Sequence, residues 1–293
     1  MPCAYIHYGY DLTSPKYFGE SDKTKKICRF CGKSIPDVSF RKKAHALSEN
    51  IGNKFFIDNE ECDECNDYFS KIEEDFYKIN AIPLSYLDIK GKNGSRKIKM
   101  SDGEIFSKNG IWILHPKETP EVVFDETGVG SLNINLHGNA LSFTPSNIYK
   151  AMVKYFIGCI ESKYLKFYTT TKHWLLNSTG IVQTPPVIQY RCKPINHPRF
   201  AYYIRQDLIS SFPHSIGCLE FADIGYFFLV PFANSEIITS QQLRQFIYIF
   251  QTIFGNLPYC LLPFSDIQTN KLPVNINITN IVPNKTQFSI PLG

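Results

Sequence analysis

Four cysteines stand in two Cys-x-x-Cys pairs, Cys28/Cys31 and Cys62/Cys65, with 30 residues between the pairs. A two-residue spacer lets both sulfurs of a pair reach one ion, and Gly32, directly after Cys31, favours the tight turn this needs. Two such pairs close a tetrahedral, all-thiolate zinc site with no open position for water, so the expected ion is structural. The alternative, four unligated thiols with a redox role, suits isolated pairs better than a matched quartet. The other five cysteines (Cys3, Cys159, Cys192, Cys218 and Cys260) are scattered and read as small buried apolar residues in a reducing compartment. Between the two pairs lies one histidine, His45, after the run Arg41-Lys42-Lys43. An imidazole near its ordinary pKa can take a proton from water at physiological pH. The zinc clip therefore either holds a passive binder or presents His45 to a substrate.

The elements that must position these residues form one short unit. "VSFRKKAH" (38–45) predicts a strand and "NKFFI" (53–57) its partner. "DNEECDECNDYFSKIEEDFYKIN" predicts a helix with Asn59 as N-cap and Glu60 and Glu61 in the first turn, where the helix dipole favours anions. Tyr68, Phe69, Ile72, Phe76 and Ile79 recur at helical spacing along its apolar face. The order is strand, loop, strand, helix, over residues 27–84, after an extended lead-in at 1–26.

Charge divides the same unit. From Lys23 to Lys54 there are nine Lys/Arg against two acids, whereas Asp58 to Asp75 holds nine acids and one Lys. A basic face beside an acidic helix suits phosphate contact near a metal, and it also suits plain solvated surface. The net charge of +4 carries no argument by itself. No apolar stretch has the length to cross a bilayer and the N-terminus lacks a signal pattern, so a cytoplasmic, non-membrane protein is expected.

"CRFCGK", "KKAH", "ENIGNK" and "ECDECN" together resemble the HNH endonuclease family, whose core is the ββα-metal fold. The resemblance spans about residues 27–79. It implies that His45 is the general base, that Asn59 orients it, and that Asn66 occupies the last motif position and binds a divalent ion, Mg²⁺ or Mn²⁺. Arg41, Lys42, Lys43 and Lys54 would contact DNA phosphates. The chain departs from the family's fuller pattern at Ala44, where many members carry a metal-binding Asp, and at Asn66, where many carry His. The implied ion would then recruit Glu49, Asn53 or a helix acid such as Glu73 or Glu74.

Residues 85–293 read as a larger mixed α+β domain. "DIKGKNGSRKIKMSDGE" (88–104) reads as a hairpin or junction. "GIWILH", "EVVFDE", "SLNINLHG", "VIQYRCK", "FAYYIR", "CLEFADI" and "YFFLVPFA" read as strands. Residues 146–179 read as one or two helices capped by Ser146, and "SQQLRQFIYIFQTIFG" as a helix with a Ser cap. The tail "VNINITNIVPNKTQF" is a last strand or an extension. The fold class expected is α+β: a zinc-stabilised ββα module followed by this larger domain. By analogy with defence-associated relatives, the larger domain would restrain the nuclease, bind a regulatory subunit or self-associate, in anti-phage or mobile-element defence. Two rivals stay open: a zinc-stabilised nucleic-acid-binding subunit with catalysis weak or lost, and a defence-complex subunit silent without its partner.

Overall fold

Asp63 explains where the module's helix begins and why its first strand starts only at Ala44. In the computed structural model, which describes residues 5–10, 14–91, 94, 97–100, 103–108, 111–117, 122–124, 130–177, 184–205, 212–231, 239–264 and 272–282, its carboxylate accepts from Ser39 Oγ at 2.6 Å, Arg41 N at 3.0 Å and Lys42 N at 2.8 Å. Those backbone N–H groups are thereby taken from any ladder. The strand expected over 38–45 shrinks to two residues.

The strands in chain order are β1 (Tyr5–Tyr10), β2 (Lys16–Phe18), β3 (Ala44–His45) and β4 (Phe56–Asp58). Helices α1 (Asp63–Ile79) and α2 (Ala81–Tyr86) follow. β3 and β4 form the antiparallel hairpin, with Ala44 opposite Asp58 and His45 opposite Ile57. β2 adds to β4 in parallel, while β1 pairs with a distant strand. The lead-in is thus woven into both parts of the chain.

Helix α1 starts later than its sequence implies. Its N-cap is Cys62, not Asn59, and the first-turn acids are Asp63 and Glu64 rather than Glu60 and Glu61. The reason is local. The N–H of Asn59 donates to Phe18 O of β2 at 2.9 Å, and the carbonyl of Glu60 accepts from Arg29 N at 2.8 Å, so this segment is bonded outward before the helix turns. The apolar face is as expected: Phe69, Ile72 and Phe76 are buried.

Beyond the module run β5 (Lys97–Met100), β6 (Gly103–Lys108), β7 (Ile111–Pro116), β8 (Val122–Phe124) and β9 (Gly130–Phe143). β5, β6 and β7 form an antiparallel meander, so the 88–104 stretch leads into a hairpin. Helices α3 (Pro145–Cys159) and α4 (Thr169–Asn177) are separated by a 3-10 turn at Ser162–Tyr168. The long strands β10 (Val187–Arg205) and β11 (Ser215–Leu229), helix α5 (Ser240–Phe254), β12 (Tyr259–Leu262) and β13 (Leu272–Val282) complete the order. β10 pairs with β11, β1 and β12, and β9 pairs with β8 and β13. The tail beyond Val282, and Cys3, lie outside the described residues.

Two expected caps move by one or two residues. α5 is capped by Thr239 in a capping box with Gln242, one residue before the Ser expected. α3 is capped at Thr144, not Ser146, and receives no bond from the Thr144 side chain. Instead, Asp75 of α1 accepts from Thr144 N at 3.1 Å and from Asn147 Nδ2 at 2.8 Å.

Helix α3 is the hub. All but one of its residues are buried, and it touches α1 and β4 of the module as well as β10 and β11. Alternation along β10 and β11 divides the sheet: Phe200, Tyr202, Phe221 and Phe228 enter the core shared with the module, whereas Tyr190, Phe227 and Leu229 pack against Phe246 and Phe250 of α5. One continuous apolar core therefore runs from Phe18 and Phe30 to Phe228, with no break at the module's end. Of the scattered cysteines, Cys159 and Cys218 are buried as expected, Cys192 is half-buried, and Cys260 is exposed, contrary to expectation, because it sits on the short strand β12.

Candidate metal centre and active site

The four sulfurs of Cys28, Cys31, Cys62 and Cys65 lie within 4.8 Å of one another. The first pair is held by a turn in which Cys28 N donates to Lys33 O and Gly32 N to Cys28 O, both at 2.8 Å. Gly32 has φ of 73°, a left-handed conformation that a side chain would strain. The second pair is the first turn of α1. Zinc–sulfur bonds of about 2.3 Å imply tetrahedral sulfur–sulfur edges of about 3.8 Å, and Cys31 Sγ lies 3.8 Å from Cys62 Sγ. The donor set fits the ion. Without a cation the thiols oppose one another: the hydrogen bond from Cys65 pulls Cys28 down to about 5, whereas burial pushes Cys62 up and the bond to Cys28 pushes Cys65 up. A divalent ion would hold all four as thiolates and fasten the loop before the hairpin to the start of the helix.

His45 sits on β3 with its side chain 15% exposed. Glu49 Oε1 is 3.7 Å from Nε2, and Asn53 Nδ2 is 3.4 Å from Nδ1. Asn53, fully buried, builds the loop around the ring. It donates to Leu47 O at 2.6 Å and Phe56 O at 3.0 Å, and accepts from the N–H groups of Phe55 and Phe56. Gly52 before it takes φ of 87°, which lets the chain turn. Burial lowers the His45 pKa to about 4; Glu49 opposes this, and the lysines Lys43, Lys154 and Lys54 reinforce it. The ring is neutral at physiological pH.

The other residues singled out from sequence fall into two groups. Glu49 and Lys54 join His45: Lys54 Nζ lies 3.8 Å from Glu49 Oε1. Lys43 acts on the ring electrostatically. Arg41 and Lys42 are drawn toward the helix instead, Arg41 to Asp63 at 3.4 Å and Lys42 to Asp67 at 2.5 Å, although the Arg41 side chain stays 85% exposed. Together with Lys23 and Lys26 they border a cavity of about 400 Å³ lined also by Ala44 and Asn59. Asn59 faces this cavity and makes no hydrogen bond to His45. The residue standing against the ring is Asn53, which sequence reasoning had placed among the alternative ion ligands. Asn66 occupies the first turns of α1, half-exposed, with its N–H on Cys62 O at 2.9 Å and no bond to the ring.

Behind His45 lies a buried charge cluster that sequence reasoning missed. Lys154 of α3 is 2.9 Å from Glu73 Oε1, 3.1 Å from Glu61 Oε2, and donates to His45 O at 2.8 Å. Arg29 pairs with Asp58 at 3.1 Å and Glu60 at 3.2 Å. Burial raises Glu61 to about 8 and Asp58 to about 6, while the Lys154 ammonium, penalised by burial, is held charged by Glu61 and Glu73. Glu73, a fallback ion ligand, is thus committed to Lys154, and Glu74 lies 3.5 Å from Lys78. The available signal was a lysine inside the apolar run "IYKAMVKYFIG", since a charge on a buried helix needs a partner.

A cysteine-clipped β-hairpin followed by a helix, presenting a neutral imidazole beside a carboxylate, defines a ββα nuclease-type module. Residues 28–78 match the family model described as HNH endonuclease. The chain thus carries an HNH module with its cysteine cluster, followed by a larger α+β region that the match does not reach. No curated protein and no solved structure matches the chain. No helix among the described residues is long and apolar enough to cross a membrane.

Proposed function

We propose that the protein is a metal-dependent endonuclease that hydrolyses DNA phosphodiester bonds with low sequence specificity. The observation that carries this reading is His45: neutral, a little exposed, and flanked by Glu49 on its Nε2 side. In this reading the neutral imidazole takes a proton from water as the water oxygen bonds to phosphorus and the bond to the leaving oxygen breaks. A hydrated Mg²⁺ or Mn²⁺ is commonly held by one or two carboxylates plus substrate phosphate. Glu49 is the carboxylate suited to it, with Asn66 a second candidate, and the ion would supply charge stabilisation at the phosphate. Lys43 and Lys54 adjoin the ring and would neutralise flanking phosphates, with Arg41 and Lys42 extending the basic surface. A cytoplasmic role in anti-phage or mobile-element defence, with the larger region restraining the module or binding a partner or second copy, completes the proposal.

The rival reading is a zinc-stabilised nucleic-acid-binding subunit without catalysis. It is favoured by Ala44 and by the fact that, among the described residues, the cysteine quartet is the one group of three or more His, Cys, Asp or Glu placed to hold a metal. A plasmid-nicking assay with Mg²⁺ and Mn²⁺ separates the two. Cleavage abolished by EDTA and by His45→Ala supports the nuclease; cleavage indifferent to both overturns it. Retarded DNA migration without cleavage favours the binder, after co-expression with neighbouring gene products has been tried.

A further inference from the structure

We infer that Lys154 is a positioning residue for His45, so that helix α3, which lies outside the matched HNH segment, sets the place of the imidazole. This rests on the nuclease reading of His45. One ammonium, 1% exposed, reaches three separate parts of the module. It bonds the His45 carbonyl on β3, Glu61 in the segment entering the second cysteine pair, and Glu73 on α1. One turn further along α3, Gly158 lies flush against the residue after His45: a Cβ there would come within 3.1 Å of Ala46 O and 3.2 Å of its Cα. The module grips back. Arg29, beside the first zinc cysteine, donates to the carbonyls of Ile157 at 2.9 Å and Gly158 at 2.8 Å near the end of α3.

These contacts bracket the main chain at 45–46. On one side His45 pairs with Ile57 of β4; on another it meets Lys154. A two-residue strand has few ladder bonds of its own, so the direction of its side chain depends on what holds its carbonyls. Lys154 is too deeply buried to touch DNA, so any effect on cleavage passes through the module's own residues, His45 among them. Small displacements of a catalytic group matter, since about 1 Å of misplacement can cost about a hundredfold in rate.

The test uses the full-length, zinc-loaded chain, Lys154→Arg as the conservative control, and two charge-removing variants, Lys154→Met and the charge-neutralised Lys154→Met/Glu61→Gln/Glu73→Gln, which leaves no buried carboxylate unpaired in the cluster's Lys154 half. Zinc content and melting report the fold. Steady-state cleavage of plasmid DNA reports kcat and KM, and the His45 ring resonances in ¹³C-histidine-labelled protein report its placement without reference to activity. A folded variant is expected to lose at least about tenfold in kcat with KM little changed, to show displaced His45 ring resonances, and to recover part of both in Lys154→Arg. A folded variant with wild-type kcat and unmoved ring resonances overturns the inference. So does loss of zinc and fold in both variants, which would make Lys154 purely structural. If the wild type cleaves nothing, alone or co-expressed with neighbouring gene products, the nuclease reading fails by itself, and the ring resonances alone decide the positioning role.

Discussion

Asn53 Nδ2 stands 3.4 Å from His45 Nδ1, and the same amide satisfies four backbone groups of the loop that encloses the ring. The residue that shapes the loop is therefore also the one in contact with the imidazole. Replacing Asn53 by Ala leaves the Leu47 carbonyl and the N–H groups of Phe55 and Phe56 without this partner, each worth about 1–3 kcal/mol, while Phe56 O keeps its bond from Ala46 N. Asn53→Ala should lower stability by at least about 3 kcal/mol in denaturant titration, on the lower end of that range. Asn59→Ala, which removes no side-chain hydrogen bond, should change stability and cleavage little. Equal losses from the two would contradict the assignment of Asn53.

Zinc removal is expected to unfold the module rather than slow it. Cys62→Ser removes one sulfur of the candidate zinc site, at the N-cap of α1. Binding energy at such a site is folding energy, so this variant should lose its zinc, measured by metal analysis, and melt at a markedly lower temperature. Full zinc stoichiometry with unchanged melting would refute the structural site.

The pH dependence follows from burial of the ring. The folded His45 pKa lies near 4, below the ordinary 6.5. Between those values the unfolded chain binds a proton that the folded chain does not, so stability falls as pH drops from about 6.5 toward 4. Above 6.5 this contribution is fully present. If His45 is the base, as proposed, the same depression keeps it unprotonated, so single-turnover cleavage should hold its rate down to about pH 5. An acid limb centred at 6.5 would show that the ring titrates as if exposed.

Arg29 joins the module to α3 through buried partners, with its guanidinium fully enclosed. Arg29→Met leaves Asp58 without its cation, and breaking a buried pair in this way costs about 3–5 kcal/mol. The expected result is a protein that is destabilised as a whole, with module and larger region melting together, followed by calorimetry. A variant in which only the module melts early would argue for two independent units.

By the same reasoning, a fragment ending at residue 85 should not fold on zinc alone. It would expose the faces of Phe69 and Phe76 that meet the shared core and would leave Glu61 and Glu73 without Lys154. Circular dichroism of the zinc-loaded fragment checks this, and a cooperative thermal transition would contradict it.

Some of this was legible in the linear chain and some was not. The cysteine spacing, the apolar stripe of α1 and the strand-forming runs that merge into β10 and β11 are local patterns that report directly on turns, a helix face and extended chain. Asn59 is a good cap by type, and nothing in the sequence says that Asn59 and Glu60 bond outward to Phe18 and Arg29, which moves the start of α1 to Cys62. The first strand was overextended because the bond from Asp63 to the 39–42 loop joins residues more than twenty apart.

The sequence by itself determined that a four-cysteine clip encloses one histidine in a strand-loop-strand-helix unit, because cysteine pairs and periodic apolar residues act over a few neighbours. Only the tertiary structure decided what surrounds that histidine. Asn53 reaches it by a loop closure, and Lys154 arrives from 109 residues away. A buried ammonium finds its carboxylates through the packing of helices, and no short-range pattern encodes which ones.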